Sequence, residues 1–309
     1  MAIAEPAPAA GAENRAAGIG YRILCILGFS VMGLTLKLAA NHGADLPTLM
    51  FARSGFALIL ILGWLAAGPG LGTIATKRPF AHLGRATLGT IGMIFVIEAL
   101  VMLPIAEATT ITFTAPMFAT LLSAVVLKEA VGIRRWTAVA IGFAGVLVVA
   151  RPGAASDIPP LGAALAILAA IFSGAVAITV RQMGRTETVG ATVFWFMAAA
   201  GGVGLLAMPW ATLPRDPIAY AYLALAGVGG AVGQIFMTAS LRHAPVAVLA
   251  PFDYLQIVLS ILFGWAIWHE VPTPHVVAGA AMIAGGGVWT AWREHRLRRE
   301  RVSATPPEG

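Results

Sequence analysis

Stretches of about twenty apolar residues recur through this chain, the length a helix needs to cross the hydrocarbon core of a bilayer. Ten are read, over 19–40, 46–67, 80–102, 104–127, 134–150, 161–181, 188–208, 217–241, 245–268 and 273–292. Several connections are so short that the flanking helices must form antiparallel hairpins. Leu103 alone separates the third stretch from the fourth, and His243 and Ala244 separate the eighth from the ninth. Pro104 and Pro245 open the later helix of each hairpin, where a missing N–H is tolerated because the first helical N–H groups lack partners anyway. With 59% hydrophobic and 11% charged residues and a mean hydropathy of +0.84, the chain is no water-facing globule, since soluble domains carry about 25% charge.

The net charge of +6 does not point to nucleic acid, because the basic residues sit in short loops between apolar runs. Arg15, Arg22, Lys77, Arg78, Arg85, Lys128, Arg134, Arg135, Arg181, Arg185, Arg242, Arg293, Arg296, Arg298, Arg299 and Arg301 fall on one side of the expected topology; Arg151 and Arg215 fall on the other. This asymmetry places both termini in the cytoplasm, and the even number of spans agrees. Residues 1–18 lack the basic and apolar regions of a cleavable signal and are expected as a disordered tail. Residues 293–309 are expected as a basic cytoplasmic tail beside anionic lipid. Cys25, the sole cysteine, reads as a small apolar packing residue.

The chain repeats itself without gaps at an offset of 141 residues. Gly92, Ile94, Phe95, Leu100, Pro104 and Ala106 match Gly233, Ile235, Phe236, Leu241, Pro245 and Ala247; Glu129 falls on Glu270 and Gly145 on Gly286. Shared apolar composition does not hold register on Phe, Pro and Glu across two span boundaries. Each half holds an odd number of spans, so the halves cross in opposite senses. The expected fold is an all-α membrane protein of ten transmembrane helices in two inverted five-helix repeats, at 19–151 and 161–292. That architecture places a ligand near the midplane, at the repeat interface.

The run LPIAEATTITFTAPMFATLLSAVVLKEAVGIRRWTAVAIGFAGVLVVARPG and its second copy, APVAVLAPFDYLQIVLSILFGWAIWHEVPTPHVVAGAAMIAGGGVW, resemble the EamA-type repeat of the drug/metabolite transporter superfamily. The pattern is a Pro-led helix, a Pro inside or early in it, a Glu just after it and a Gly-rich final span. LKEAVGIRRW with APFDY is most similar to a bacterial branch that includes riboflavin and S-adenosylmethionine carriers. The resemblance implies a secondary transporter in a bacterial inner membrane, moving a small polar metabolite (an amino acid, riboflavin or an S-adenosylmethionine-like compound) by alternating access. It also implies Arg at the place of Arg53 in the second span.

Ionisable groups within spans usually turn inward, and each is a candidate site residue. Lys37, Arg53, Glu98 and Glu107 share the outer third and are expected to form a charge-paired cluster at an external gate. Other readings stand beside this one: Lys37 snorkelling to the interface, Arg53 pairing structurally with Glu98, and Glu107 capping its helix, three residues after Pro104. Thr109, Thr112, Pro116, Thr120 and Ser123 follow helical spacing on one face. A hydroxyl stripe beside a proline can line a polar cavity, because proline frees a carbonyl; a small-residue packing face is the alternative. The repeat maps Thr112 onto Asp253, so both are expected on equivalent inward faces. Asp253, with Pro251, Tyr254 and Gln256 beside it and Gln234 at similar depth, reads as a contact for a cationic substrate or as a proton carrier. Glu129 and Glu270 read as capping residues for the turns that follow.

No GxSxG, HExxH or P-loop is present, and no cysteine–histidine spacing suits a metal. No cofactor, metal or catalytic residue is expected. The expected partners are a small-molecule substrate and membrane lipid, with monomer and homodimer both open. A channel or an intramembrane enzyme is the alternative function.

Overall fold

A computed structural model describes residues 15–126, 128, 132–151, 158–183, 186–244 and 246–303. The described residues form twelve α-helices: α1 (Arg15–Asn41), α2 (Leu46–Ala67), α3 (Pro79–Met102), α4 (Ile105–Thr112), α5 (Ala115–Val126), α6 (Ile133–Ala150), α7 (Pro160–Met183), α8 (Val189–Ala207), α9 (Pro217–His243), α10 (Val246–Asp253), α11 (Leu255–Trp268) and α12 (Pro274–Ser303). Helix α1 begins inside the stretch expected as an N-terminal tail. Residues 1–14, Glu129 and Pro245 lie outside the described residues.

Helix starts follow the capping chemistry. Asp45 accepts from Thr48 N–H at 3.1 Å ahead of α2, Thr188 from Ala191 N–H at 3.0 Å ahead of α8, and Asp216 from Ile218 N–H at 3.1 Å ahead of α9. Each side-chain oxygen satisfies a backbone donor that the helix leaves orphaned.

The fourth and ninth apolar stretches were each expected as one helix, and both are broken. Helix α4 ends at Thr112 and α10 at Asp253, the positions that the 141-residue offset superimposes. In the first break Pro116 has no N–H for the Thr112 carbonyl, and its ring crowds that oxygen. Thr114 restarts the chain as α5: its carbonyl accepts from Met117 and Phe118, and its own N–H reaches Ile111.

Among the described residues, eight segments are long and apolar enough to cross a membrane. In α6 the apolar helix Trp136–Ala150 is shorter, and α12 is not among the eight. These helices bury only part of their surface in one another. Ile59, Val125, Trp265 and Leu206 are 59–75% exposed, and an outward apolar surface of that kind is covered by lipid.

Helix α1 packs along α9, and α3 along α7, the corresponding pair when the halves are exchanged; α2 meets α8, and α6 meets α12. Glycines set the closest approaches. A Cβ on Gly28 would lie 2.7 Å from the backbone N of Gly233, and one on Gly145 would lie 2.9 Å from the Gly279 carbonyl. Small residues let helix backbones approach closely enough for dispersion to hold them without a hydrophobic driving force.

The end of the bundle where α1 begins is called the near end, and the other the far end. At the far end His42 Nδ1 lies 2.6 Å from Asp216, and Asp45 accepts from Thr212 N–H at 2.5 Å. At the near end His82 Nε2 lies 2.9 Å from Glu187, with both side chains buried. Hydrogen bonds from His82 and Thr76 hold the Glu187 carboxyl below the usual range, and those from Ile218 N–H and His42 do the same for Asp216.

Candidate functional site

A cleft open at its mouth lies between α1, α3, α4 and α11, and the space it encloses, open solvent included, is about 520 Å³. Helix α1 contributes Phe29, Ser30, Met32 and Gly33, and α3 contributes Val96 and Leu100. The α4 segment contributes Thr109, Thr112 and Phe113, and α11 contributes Gln256, Ser260 and Phe263. Both halves of the repeat therefore build it. Its walls are mostly apolar, with hydroxyls and one amide among three phenylalanines, a common pattern for a small-molecule pocket. The Ser30 hydroxyl is buried without a partner.

The hydroxyl stripe expected along one helix face does not survive as a stripe. The break after Thr112 turns α5 away, so Thr109 and Thr112 line the cavity whereas Pro116, exposed at the start of α5, Thr120 and Ser123 do not. Thr112 returns its hydroxyl to the Ala108 carbonyl at 2.8 Å, and Thr120 does the same to Pro116 at 3.0 Å. Pro116 thus supplies the break that leaves the Thr112 carbonyl without its helical donor beside the cavity.

At the far end Lys37 is 6% exposed, so it does not snorkel to the interface. Its ammonium donates to the Leu103 carbonyl and lies 5.4 Å from the Trp268 ring centroid. Glu107 and Glu270 supply its electrostatic surroundings. Glu107 lies on the first turn of α4, and one of its oxygens is buried without a partner. An oxygen of Glu270 is likewise buried and unpartnered, where the sequence pointed only to a capping role. The four-charge cluster expected here is only half assembled. Glu98 is half-buried on α3 and makes no ion pair among the described residues, and Arg53 lies against Met32 and Met93 instead.

At the near end Asp253 is taken by Arg22. The guanidinium donates from Nε at 2.5 Å and from Nη2 at 2.6 Å, a bidentate pair across 231 residues. Bidentate charge-assisted bonds of this kind are among the strongest available to side chains. Tyr21 lies nearby on α1, stacked 5.8 Å from Phe236 and edge-on to His243 at 5.0 Å. Tyr254, just past the α10 break, packs 5.8 Å from Phe113 of the cavity wall. Gly287 of α12 accommodates its phenol, since a Cβ there would lie 1.4 Å from the oxygen. Pro251 sits inside α10, and Gln234 is half-buried on α9.

Arg53 is buried, with Nε 3.1 Å from Met32 Sδ and Nη1 donating to Met93 Sδ. Among the described residues no carboxylate meets it, so the pair with Glu98 is not formed. Arg85, read from the sequence as a loop cation, is also buried, lying over the Phe196 ring at 4.3 Å. Arg22 had been grouped with the orienting loop charges too. Nothing in the sequence marked Met32.

Among relatives, a riboflavin transporter of Rhizobium johnstonii is 30% identical over 93% of this chain and 92% of its own length. A pseudopaline exporter of Pseudomonas aeruginosa is 27% identical over 86% and 93%. An S-adenosylmethionine uptake transporter of Rickettsia conorii is 26% identical over 92% and 95%. A solved crystal structure, 20% identical, shares the fold with a TM-score of 0.63 over 92% of this chain and 99% of that one. The EamA-like transporter family pattern matches residues 16–151 and 160–292. With two copies of the pattern covering most of its length, each contributing helices to one cavity, the chain belongs to the EamA-like transporter family.

Proposed function

We propose that the chain is a secondary transporter of a small polar metabolite in a bacterial inner membrane, working by alternating access. In this reading ten segments cross the bilayer as two inverted halves, with α4–α5 and α10–α11 as the broken fourth and ninth spans and both termini in the cytoplasm. One observation carries the proposal: a cavity built by both halves lies between two separate charge clusters, one toward each end of the bundle. The Arg22–Asp253 pair closes the near end, and Lys37, Glu107 and Glu270 with Trp268 close the far end. Thr109, Thr112, Gln256 and the freed Thr112 carbonyl supply polar contacts, and Phe29, Phe113 and Phe263 supply apolar ones. Discontinuous helices bordering a cavity near the repeat interface are a recurring transporter device. The relatives named for riboflavin, pseudopaline and S-adenosylmethionine support small-molecule cargo and both directions of transport.

The test is counterflow of a metabolite panel in vesicles reconstituted with the full chain. A carrier shows saturable uptake accelerated by cargo on the opposite side, and Thr112→Trp, which fills the cavity, abolishes it. Unsaturable flux without trans-acceleration would mean a channel, and a chemically altered cargo would mean an enzyme.

A further inference from the structure

Three cations surround or approach the cavity, and their partners differ. Arg22 is held by Asp253, and Lys37 by the Leu103 carbonyl with two carboxylates nearby. Among the described residues, Arg53 donates to the thioethers of Met32 and Met93. Thioether sulfur is a weak acceptor, and a buried charge without a proper counter-charge is costly. The guanidinium is always charged and presents a rigid fork of donors suited to a carboxylate.

Met32 occupies two places at once. It lines the cavity, and its sulfur touches Arg53 Nε. Methionine has three soft torsions and re-packs readily. Gly230 of α9 leaves space beside it: a Cβ there would lie 3.3 Å from Met32 Sδ and 4.0 Å from Arg53 Nε. One side chain therefore separates a buried cation, held here by weak sulfur acceptors, from the cavity.

We infer that Arg53 is a carboxylate-binding subsite of the cavity, uncovered when Met32 turns aside, so that the cargo bears a carboxylate group. This rests on reading the cavity as the cargo site. The cargo's acid group replaces the weak sulfur contacts, while its remaining surface lies among Phe29, Phe113 and Phe263. Met32 acts as the latch, keeping Arg53 from water when the cavity is empty.

The probes are 3-phenylpropionate and its neutral amide, which share a shape and differ in charge. Binding to the purified full chain in detergent is measured at pH 7 by titration calorimetry. The acid is expected to bind roughly tenfold or more tighter than the amide, as a charge-assisted bond to a buried partner implies. Arg53→Gln removes the acid-over-amide preference. Met32→Leu keeps the volume, removes the sulfur, and raises the acid-to-amide ratio several-fold. Equal binding of acid and amide, binding of neither, or an acid preference that survives Arg53→Gln overturns the inference. If Arg53→Gln does not fold, an unchanged acid-to-amide ratio in Met32→Leu overturns it. Saturable metabolite flux without the acid preference removes the subsite and keeps the transport reading. An Arg53-dependent preference without flux does the reverse.

Discussion

Asp253→Asn tests whether the Arg22–Asp253 pair closes the near end. The pair makes two short charge-assisted bonds, and its side chains keep 15% and 27% of their surface exposed. Removing one partner of a fully buried pair costs roughly 3–5 kcal/mol. Exposed pairs are worth no more than about 1 kcal/mol, so this intermediate site warrants ~2 kcal/mol, about thirtyfold in the opening equilibrium. Cys25 reports it directly. It is the only cysteine, buried at 3% exposure, one helical turn along α1 from Arg22. The assay is the rate at which N-ethylmaleimide alkylates Cys25 in reconstituted vesicles. Asp253→Asn and Arg22→Gln should each accelerate it by roughly thirtyfold. The two substitutions change the charge beside the thiol in opposite senses, so a shared acceleration reports opening and not altered thiol chemistry. The swap Arg22→Asp with Asp253→Arg should restore slow labelling. Opposite effects from the two single substitutions, or none from either, would refute the gate.

Three other perturbations test neighbouring parts of the argument. Glu187 has its carboxyl held low by His82 and Thr76, so its stabilisation is fully present above the ordinary carboxylate range and is lost as pH falls through the depressed value. Thermal midpoints measured from pH 7 down to pH 3 should fall less steeply in Glu187→Gln than in the unsubstituted chain, and equal slopes would reject the linkage. Gly229→Ala would place a Cβ 2.7 Å from the Gly28 carbonyl and 2.9 Å from Met32 N. Backbone cannot yield cheaply there, so a loss of about 1–3 kcal/mol is expected from overpacking. Gly202→Ala, which meets nothing within 4 Å, should leave the thermal midpoint unchanged or raised. Gly287→Ala drives Tyr254 off α12, and flux of any cargo found by counterflow should fall; adding Tyr254→Leu should restore it, and failure to restore would place the defect in α12 itself.

The apolar runs were readable in order because bilayer thickness imposes a length that each segment carries alone. The 141-residue repeat was readable for a similar reason, since register is a property of the chain. It even marked equivalent residues, Thr112 and Asp253, which end the two short helices that precede the breaks. Pro116 foretold a freed carbonyl, but one straight hydroxyl face was drawn through it. The face failed because spacing rules hold only while the helix continues.

Which charges pair was not readable. Arg22 and Asp253 meet because α1 packs against both α9 and α10, and Lys37 is buried at the α3–α4 junction by the same packing. That packing depends on glycines whose partners lie on distant helices. A charge within a span advertises that it needs company, because its solvation cost is local. The identity of its neighbour depends on which helices touch, and only the tertiary structure decided that Arg22 has Asp253 while Arg53 has two thioethers.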